Sequence, residues 1–412
     1  MASICCYSGV FLQTQTSKER AFNVVSSGLP LPYYSYGSKI EKGNTTGSHC
    51  GVNFQSLHQI QSSSRIATRL LHVQAQHRRV TPSSASINTT APPPGWPEFA
   101  RNVSGEWDGF GADFTNSGEP IQLPDSVVPE AYREWEVKVF DWQTQCPTLA
   151  PHPADTQDLA MTYKSIKLLP TVGCEADAAT RYSVDERNVN LNYDDDDDTN
   201  NKASAFAYQS SGSYVAVWQT EGPDPRTLST VTPRTKLLEL EHCLIHPQNR
   251  ESRVRIFQVV RVANNSEMTL ESIRVFCEQW SGPFRNGDQP GGCTIRDSPF
   301  ASTAAVNTSQ VAGVWQAHVS VANFQTSQTG FLRELTDNGT HTSVRNECQL
   351  ILLPKQLWCS TKESKDGEPC YDFEVGWLHD NGCALTSRCI FSSDGKLKEI
   401  SIVRETVNLE GL

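Results

Sequence analysis

From residue 98 onward, short runs rich in β-branched and aromatic residues recur, many alternating apolar and polar positions with period two. Helical periodicity is scarce. The first runs are Glu134–Phe140, Tyr163–Leu169, Ala205–Tyr208 and Ser213–Trp218, each read as a strand. Three longer ones follow, Lys236–His246, Arg253–Ala263 and Met268–Trp280, joined by short polar turns at 246–250 and 264–266. Tightly connected antiparallel strands form a meander, and a meander that closes into a barrel leaves no unpaired edge. After Gly282 a Gly/Pro-rich stretch interrupts the pattern. A second series runs through Gly313–Phe324, Gln349–Leu353, Gln356–Ser360, Asp372–Leu378, Cys383–Phe391 and Lys396–Arg404. Asn338-Gly339, Asn381-Gly382 and Asp394-Gly395 read as hairpin turns, because Gly and Asn tolerate positive φ. The pattern predicts an all-β body of two consecutive antiparallel barrels, over 98–285 and 309–412, with a linker loop at 286–308.

Alternation also assigns faces. In the run 236–246, Leu238, Leu240, His242 and Leu244 share one face, and Glu239 and Glu241 share the other. In the next run Val254, Ile256, Gln258, Val260 and Val262 lie opposite Arg253, Arg255 and Arg261. Unpaired charges are costly to bury, so the apolar faces are expected inside the first barrel. The Glu and Arg faces are expected in solvent, as cross-strand pairs worth about a few tenths of a kcal/mol each. A greasy lumen with His242 and Gln258 as its polar points suits a hydrophobic small molecule oriented by one or two hydrogen bonds. The alternative is a packed core in which these two groups satisfy each other or the backbone.

Each strand series opens on a Gly-x-Trp: Gly105-Glu106-Trp107, within Asn102–Gly109, and Gly313-Val314-Trp315. The pair resembles the Gly-x-Trp that opens the first strand of lipocalins and the wider calycin group. There the Trp plugs the closed end of the barrel and a late-strand Arg packs on its ring. By that resemblance Trp107 would be closed by Arg274, or else Arg261, and Trp315 by Arg404. Physically, a large aromatic fills a narrow end while a guanidinium stacks on its face. The body also resembles a family of uncharacterised cyanobacterial and plastid proteins built from two calycin-like barrels. The matching features are Gly105-Glu106-Trp107-Asp108-Gly109, Trp135-x6-Trp142, Leu240-Glu241-His242 and Arg253-Val254-Arg255. This resemblance implies two consecutive lipocalin-like β-barrels, a plastid or cyanobacterial setting, and distant kinship to the S-type phycobiliprotein lyases, which bind open-chain tetrapyrroles.

Composition narrows the setting. The net charge is −11, but residues 1–80 hold eight basic and two acidic side chains, leaving 27 basic and 44 acidic beyond them. So acidic a body repels phosphate backbones and argues against nucleic-acid binding. Residues 1–75 are Ser/Thr-rich, nearly free of acid and without a continuous apolar core, as in a plastid transit peptide. A Pro/Ser-rich linker follows at 76–97. No run approaches the ~20 apolar residues needed to cross a bilayer, so a soluble stromal protein is expected.

The ten cysteines beyond residue 80 contain no Cys-x-x-Cys pair. Cys383/Cys389 and Cys359/Cys370 are candidate redox pairs, with small buried apolar roles as the favoured reading. His242 and His246 lie four apart on a strand, about 13 Å, too far to share a metal. The aspartate run 194–198 lacks the spacers of a calcium loop. No nucleophile motif or phosphate loop is present, and neither a catalytic residue, a metal nor a fixed cofactor is expected. Three readings remain open: a plastid binder of a hydrophobic ligand (tetrapyrrole, carotenoid or lipid), an assembly factor for thylakoid complexes with packed barrels, and a chromophore lyase or isomerase.

Overall fold

The computed structural model describes residues 94–152, 159–171, 181–190, 203–221, 236–264, 266–288, 298–325, 330–364, 369–380 and 382–407. The expected targeting segment (1–75), most of the expected linker (76–97) and the run Asp194–Asp198 lie outside them. The chain enters through helix α1 (Trp96–Val103) and strand β1 (Glu106–Thr115), then a short helix α2 (Glu130–Glu134). Strands β2 (Asp141–Gln145), β3 (Thr148–Leu149), β4 (Ala160–Leu168), β5 (Arg181–Asn190), β6 (Ala203–Tyr208) and β7 (Tyr214–Glu221) follow. The meander β8 (Lys236–Ile245), β9 (Ser252–Val262) and β10 (Met268–Gly282) comes next. A short helix α3 (Thr308–Val311) leads into β11 (Gly313–Asn323), β12 (Leu332–Glu334) and β13 (Thr336–Arg345). The last strands are β14 (Leu350–Leu353), β15 (Leu357–Ser364), β16 (Cys370–Asp380), β17 (Cys383–Ser392) and β18 (Leu397–Val407).

The fold is all-β and barrel-like. One sheet has the order β12-β6-β7-β8-β9-β10-β1-β2-β4-β3, with β5 also paired to β4. The second has the order β13-β11-β18-β17-β16-β15-β14. Cross-sheet contacts show how far each curls. Tyr163 on β4 and Glu241 on β8 are five strands apart in the first sheet, about 24 Å if it were flat. Their side chains meet at 2.6 Å. In the second sheet Arg345 on β13 reaches Glu374 on β16, four strands away, at 2.7 Å.

Two layers of apolar packing result. The concave face of the first sheet encloses an aromatic cluster of Trp107, Tyr163, Phe206, Tyr208, Tyr214 and Trp218. Helix α1 covers this cluster, burying Trp96, Phe99, Ala100 and Val103, which share one side at helical spacing. The convex faces of the two sheets pack on each other. Leu238, Leu240, Val254, Ile256 and Val275 of the first meet Phe373, Val375, Leu385, Cys389, Ile400 and Ile402 of the second in one continuous core. At roughly 1.5–3 kcal/mol per large apolar side chain buried, this inter-sheet core is a principal source of stability.

Several sequence expectations need correction. Glu134–Phe140 is no strand: helix α2 ends there, Trp135 is 63% exposed, and Glu136 takes a left-handed φ of 55°. Its alternation finds no neighbouring strand to pair with, and pairing begins only at β2. Asn338-Gly339 sits inside β13, where the register with β11 shifts between His318 and Ser320, so the pair makes a bulge and not a hairpin turn. The second series does not stay apart from the first either. Strand β12 crosses back and pairs in parallel with β6, Leu332 opposite Phe206.

The largest correction concerns the faces of β8 and β9. The Leu/Val/Ile stripe predicted to line a lumen forms the inter-sheet core. Part of the Glu/Arg stripe predicted to face solvent lines the true interior of the first barrel, since Glu241, Arg253 and Arg255 are each 1% exposed or less, while Arg261 at the end of β9 is at the surface as expected.

Candidate functional site

The Gly-x-Trp elements are built alike. Gly105 and Gly313 have φ of +142° and +125°, a region that L side chains adopt only under strain. That turn sends the chain from α1 into β1 and from α3 into β11. Each indole then points back, so that Trp107 Nε1 donates to Val103 O at 2.9 Å and Trp315 Nε1 donates to Val311 O at 2.9 Å.

The arginines against the two rings are not those expected. Arg253 of β9 lies 4.2 Å from the Trp107 ring centroid, and Arg345 of β13 lies 5.6 Å from that of Trp315. Arg274 sits opposite Asp113 in the β1/β10 register, six residues beyond Trp107, about 20 Å away along the strand. There it pairs with Asp113 at 2.8 Å. Arg261 pairs with Glu271 at the surface, at 2.9 Å. Arg404 shares the parity of Ile400 and Ile402, so it projects from the face opposite Trp315 and is exposed.

A charge-balanced network fills the first lumen beneath Trp107. Arg253 Nε donates to Glu278 at 2.7 Å, and Arg255 bridges Glu278 at 2.8 Å and Glu241 at 3.4 Å. Glu241 also accepts from Tyr163 (2.6 Å), Tyr214 (2.8 Å) and Trp218 Nε1 (2.8 Å). Burial alone would raise the Glu278 carboxyl, but the Arg253 and Arg255 guanidiniums hold it below the usual carboxylate range. In the second sheet Arg345 joins Glu374 at 2.7 Å and Glu405 at 2.6 Å. Every member of the first network bonds another, so its charges are satisfied within the lumen.

His242 and Gln258 do not line a lumen. Both are fully buried in the inter-sheet core. His242 Nδ1 lies 2.8 Å from Ser387 Oγ, and Gln258 Nε2 donates to Glu374 O at 3.4 Å. Burial pushes the His242 imidazole down to about 3, the Gln258 side chain opposing in part. Both therefore sit in a packed core, but His242 meets a side chain of the second sheet and only Gln258 meets a backbone carbonyl there.

Open space lies at the two ends of the seam between the sheets. At one end is a groove of about 770 Å³ between β10 and the β14–β16 strands. Met268 and Leu270 of the first sheet and Ile351, Tyr371 and Phe373 of the second form its apolar floor. These residues close the stripes of the inter-sheet core where the sheets diverge. Lys362 stands at the groove and makes no ion pair among the described residues. No single-strand pattern marks these residues as a group, because only the packing of the two sheets brings them together.

All described cysteines are free. Cys383 and Cys389 lie six residues apart on β17, about 20 Å, so they cannot bridge. In the β15/β16 ladder Cys359 is opposite Val375 and Cys370 is opposite Ser364, five residues along, so that pair is excluded as well. Among the described residues no His/Cys/Asp/Glu cluster suits a metal ion, and no helix is long and apolar enough to cross a membrane.

No protein-family model matches the chain, and no curated protein matches it. Among solved structures it is similar to a protein of unknown function of the DUF3598 family from Nostoc punctiforme. That likeness has 12% identity and a TM-score of 0.40, and covers 76% of this chain and 99% of the other. A putative outer membrane protein from Bacteroides fragilis aligns at 9% identity and a TM-score of 0.17, over 75% of this chain and 99% of its own. Neither likeness carries a functional argument.

Proposed function

We propose that this protein holds a hydrophobic small molecule of the tetrapyrrole, carotenoid or lipid type, in a plastid setting, and that its seat is the inter-sheet groove and not a barrel lumen. The groove supports this reading: its volume of about 770 Å³ lies in the range of ligand pockets, roughly 300–1,000 Å³. Its floor is apolar, its walls are polar with Asn116, Glu267, Thr269, Thr361 and Glu363, and Lys362 offers a cation for a carboxylate or other polar head on the ligand. The aromatics and ion pairs of the first lumen satisfy one another, which favours the groove as the seat. Purifying the protein from its natural source, recording its absorbance and weighing any extracted molecule by mass spectrometry tests this directly. A stoichiometric ligand is expected; a clean, empty protein would count against it.

A second reading, an assembly factor for thylakoid complexes, is favoured by one observation. Trp135, Val137, Tyr182 and Val184 are large apolar side chains left exposed near the buried Trp142 cluster. Co-purification with a membrane complex that is lost in Trp135→Ser would favour it over the ligand-binding reading.

A further inference from the structure

The opposite end of the seam has a different chemistry. The inter-sheet stripe of β8, Leu240-His242-Leu244, continues with period two to His246 just past the strand. The facing stripe of β18, Ile400-Ile402, continues to Arg404. Where the apolar core ends, His246 and Arg404 therefore approach from the two sheets. They line a small cleft of about 30 Å³ together with Arg250 of the β8–β9 turn and Gln209 and Ser213 beside the β6–β7 turn. That volume holds about two water molecules. The cleft shares Gln209, Ser211 and Arg404 with a neighbouring one of about 280 Å³.

The donors there are unspent. Arg187, Arg253, Arg255, Arg261, Arg274, Arg345 and Arg388 each sit against a carboxylate. Arg250 and Arg404 have no ion-pair partner among the described residues. His246 Nδ1 accepts from the backbone N–H of Gln248 (3.2 Å) and Asn249 (3.0 Å), so its ring proton resides on Nε2, which can donate. Ser213, 1% exposed, accepts from Ile245 N at 3.0 Å, leaving its own O–H to donate. Of the carboxylates around the two clefts, Asp337 faces His318 at 3.4 Å and Glu334 accepts from Gly95 N at 3.3 Å, while Asp380 pairs with His379 at 3.3 Å and also acts on His246. Two arginines without ion-pair partners among the described residues line one cleft with neutral donors, on a body otherwise rich in acid, an arrangement suited to an anion.

We propose that this corner is a binding site for a small oxyanion of the phosphate class, free or as a monoester, held by Arg250 and Arg404 with hydrogen bonds from His246 and Ser213. The site is independent of the groove. Strand β16 separates them, from Tyr371 and Phe373 at the groove to His379 at this end, about 26 Å along the strand.

Isothermal titration calorimetry of the full chain with inorganic phosphate, at constant ionic strength in chloride, tests the proposal. Saturable one-site binding is expected. Arg404→Gln and Arg250→Gln should each weaken it by about tenfold or more, the equivalent of ~1.4 kcal/mol. Arg404→Lys, which keeps the charge but not the fork, should fall between them and the natural protein. Arg261→Gln, a surface arginine paired with Glu271 and outside both sites, should bind unchanged. A parallel titration with glycerol 3-phosphate assigns the source, since tighter binding than inorganic phosphate means that the adjoining cleft takes the organic part. Absence of saturable binding to either anion, retention of binding in both the Arg404 and Arg250 variants, or an equal loss in Arg261→Gln would overturn the proposal.

Discussion

The Arg253 guanidinium carbon lies 4.2 Å from the centroid of the Trp107 ring, inside the first barrel, where both side chains are 1% exposed or less. The same arginine carries the charge that Glu278 needs, so it both covers the indole and neutralises a buried carboxylate. Arg255 still contacts Glu278 when Arg253 is removed, but the buried network of two arginines and two glutamates is left one positive charge short. Arg253→Met is therefore expected to destabilise the fold by about 3–5 kcal/mol, and pairing it with Glu278→Leu should restore a substantial part. Arg274→Gln, which breaks only the half-exposed pair with Asp113, should cost less than about 1 kcal/mol. Urea unfolding of the three variants checks this, and near-equal losses for Arg253→Met and Arg274→Gln would contradict it.

His242 makes stability depend on pH in a defined window. Its imidazole titrates at about 3 in the fold, against 6.5 when exposed. Between those values the unfolded chain binds a proton that the folded chain does not. Its contribution is thus fully retained above 6.5 and is lost as pH falls towards 3, with a slope approaching about 1.4 kcal/mol per pH unit. Glu278 and Glu374, both held below the usual 4.5, add their own loss only as pH falls below that value. Unfolding free energies measured from pH 7 to 4.5 should therefore fall in the natural protein and fall less steeply in His242→Gln, the lowered His246 imidazole contributing in both. Identical slopes in the two would remove His242 from the account.

The cysteines should separate by burial. Desolvation pushes the Cys243 thiol up to about 12, and raises those of Cys146, Cys359 and Cys389 as well, while Cys348 is exposed. Since the thiolate is the reactive form, brief maleimide treatment of the native protein should modify Cys348 and leave these four untouched until denaturant is added. Peptide mapping reads this out. A native disulfide joining Cys359 to Cys370, or Cys383 to Cys389, would contradict the structure.

Most of the strands were legible because alternation is a local signal. The runs at 163–169, 205–208, 213–218 and from 236 to 280 all fall on strands, as do the six runs of the second series. What alternation does not carry is which face turns inward. Arg253, Arg255 and Glu241 read as a solvent face because a lone buried charge is prohibitive. They are inside because β10 places Glu278 opposite Arg253, and β4 brings Tyr163 across the lumen to Glu241. Both partners are remote in sequence. The Gly-x-Trp pairs were legible for the same local reason, since a positive-φ glycine and a large aromatic mark a sharp entry into a strand. Their arginines were not, because strand register decides the match: Arg274 falls opposite Asp113, and Arg404 on the wrong face. Leu270, Tyr371 and Lys362 carry no joint signal at all, being gathered only by the docking of one sheet on the other.

The seat of the ligand is tested most directly by fluorescence titration with cis-parinaric acid, a hydrophobic carboxylate probe, against the natural protein, Leu270→Glu and His242→Leu. Leu270 belongs to the groove floor and is partly exposed, while His242 lies in the sealed inter-sheet core. Saturable binding by the natural protein is expected, with Leu270→Glu weakening it by about tenfold or more and His242→Leu leaving it unchanged. Unaltered binding in Leu270→Glu, or loss confined to His242→Leu in a folded protein, would contradict the groove as the binding site.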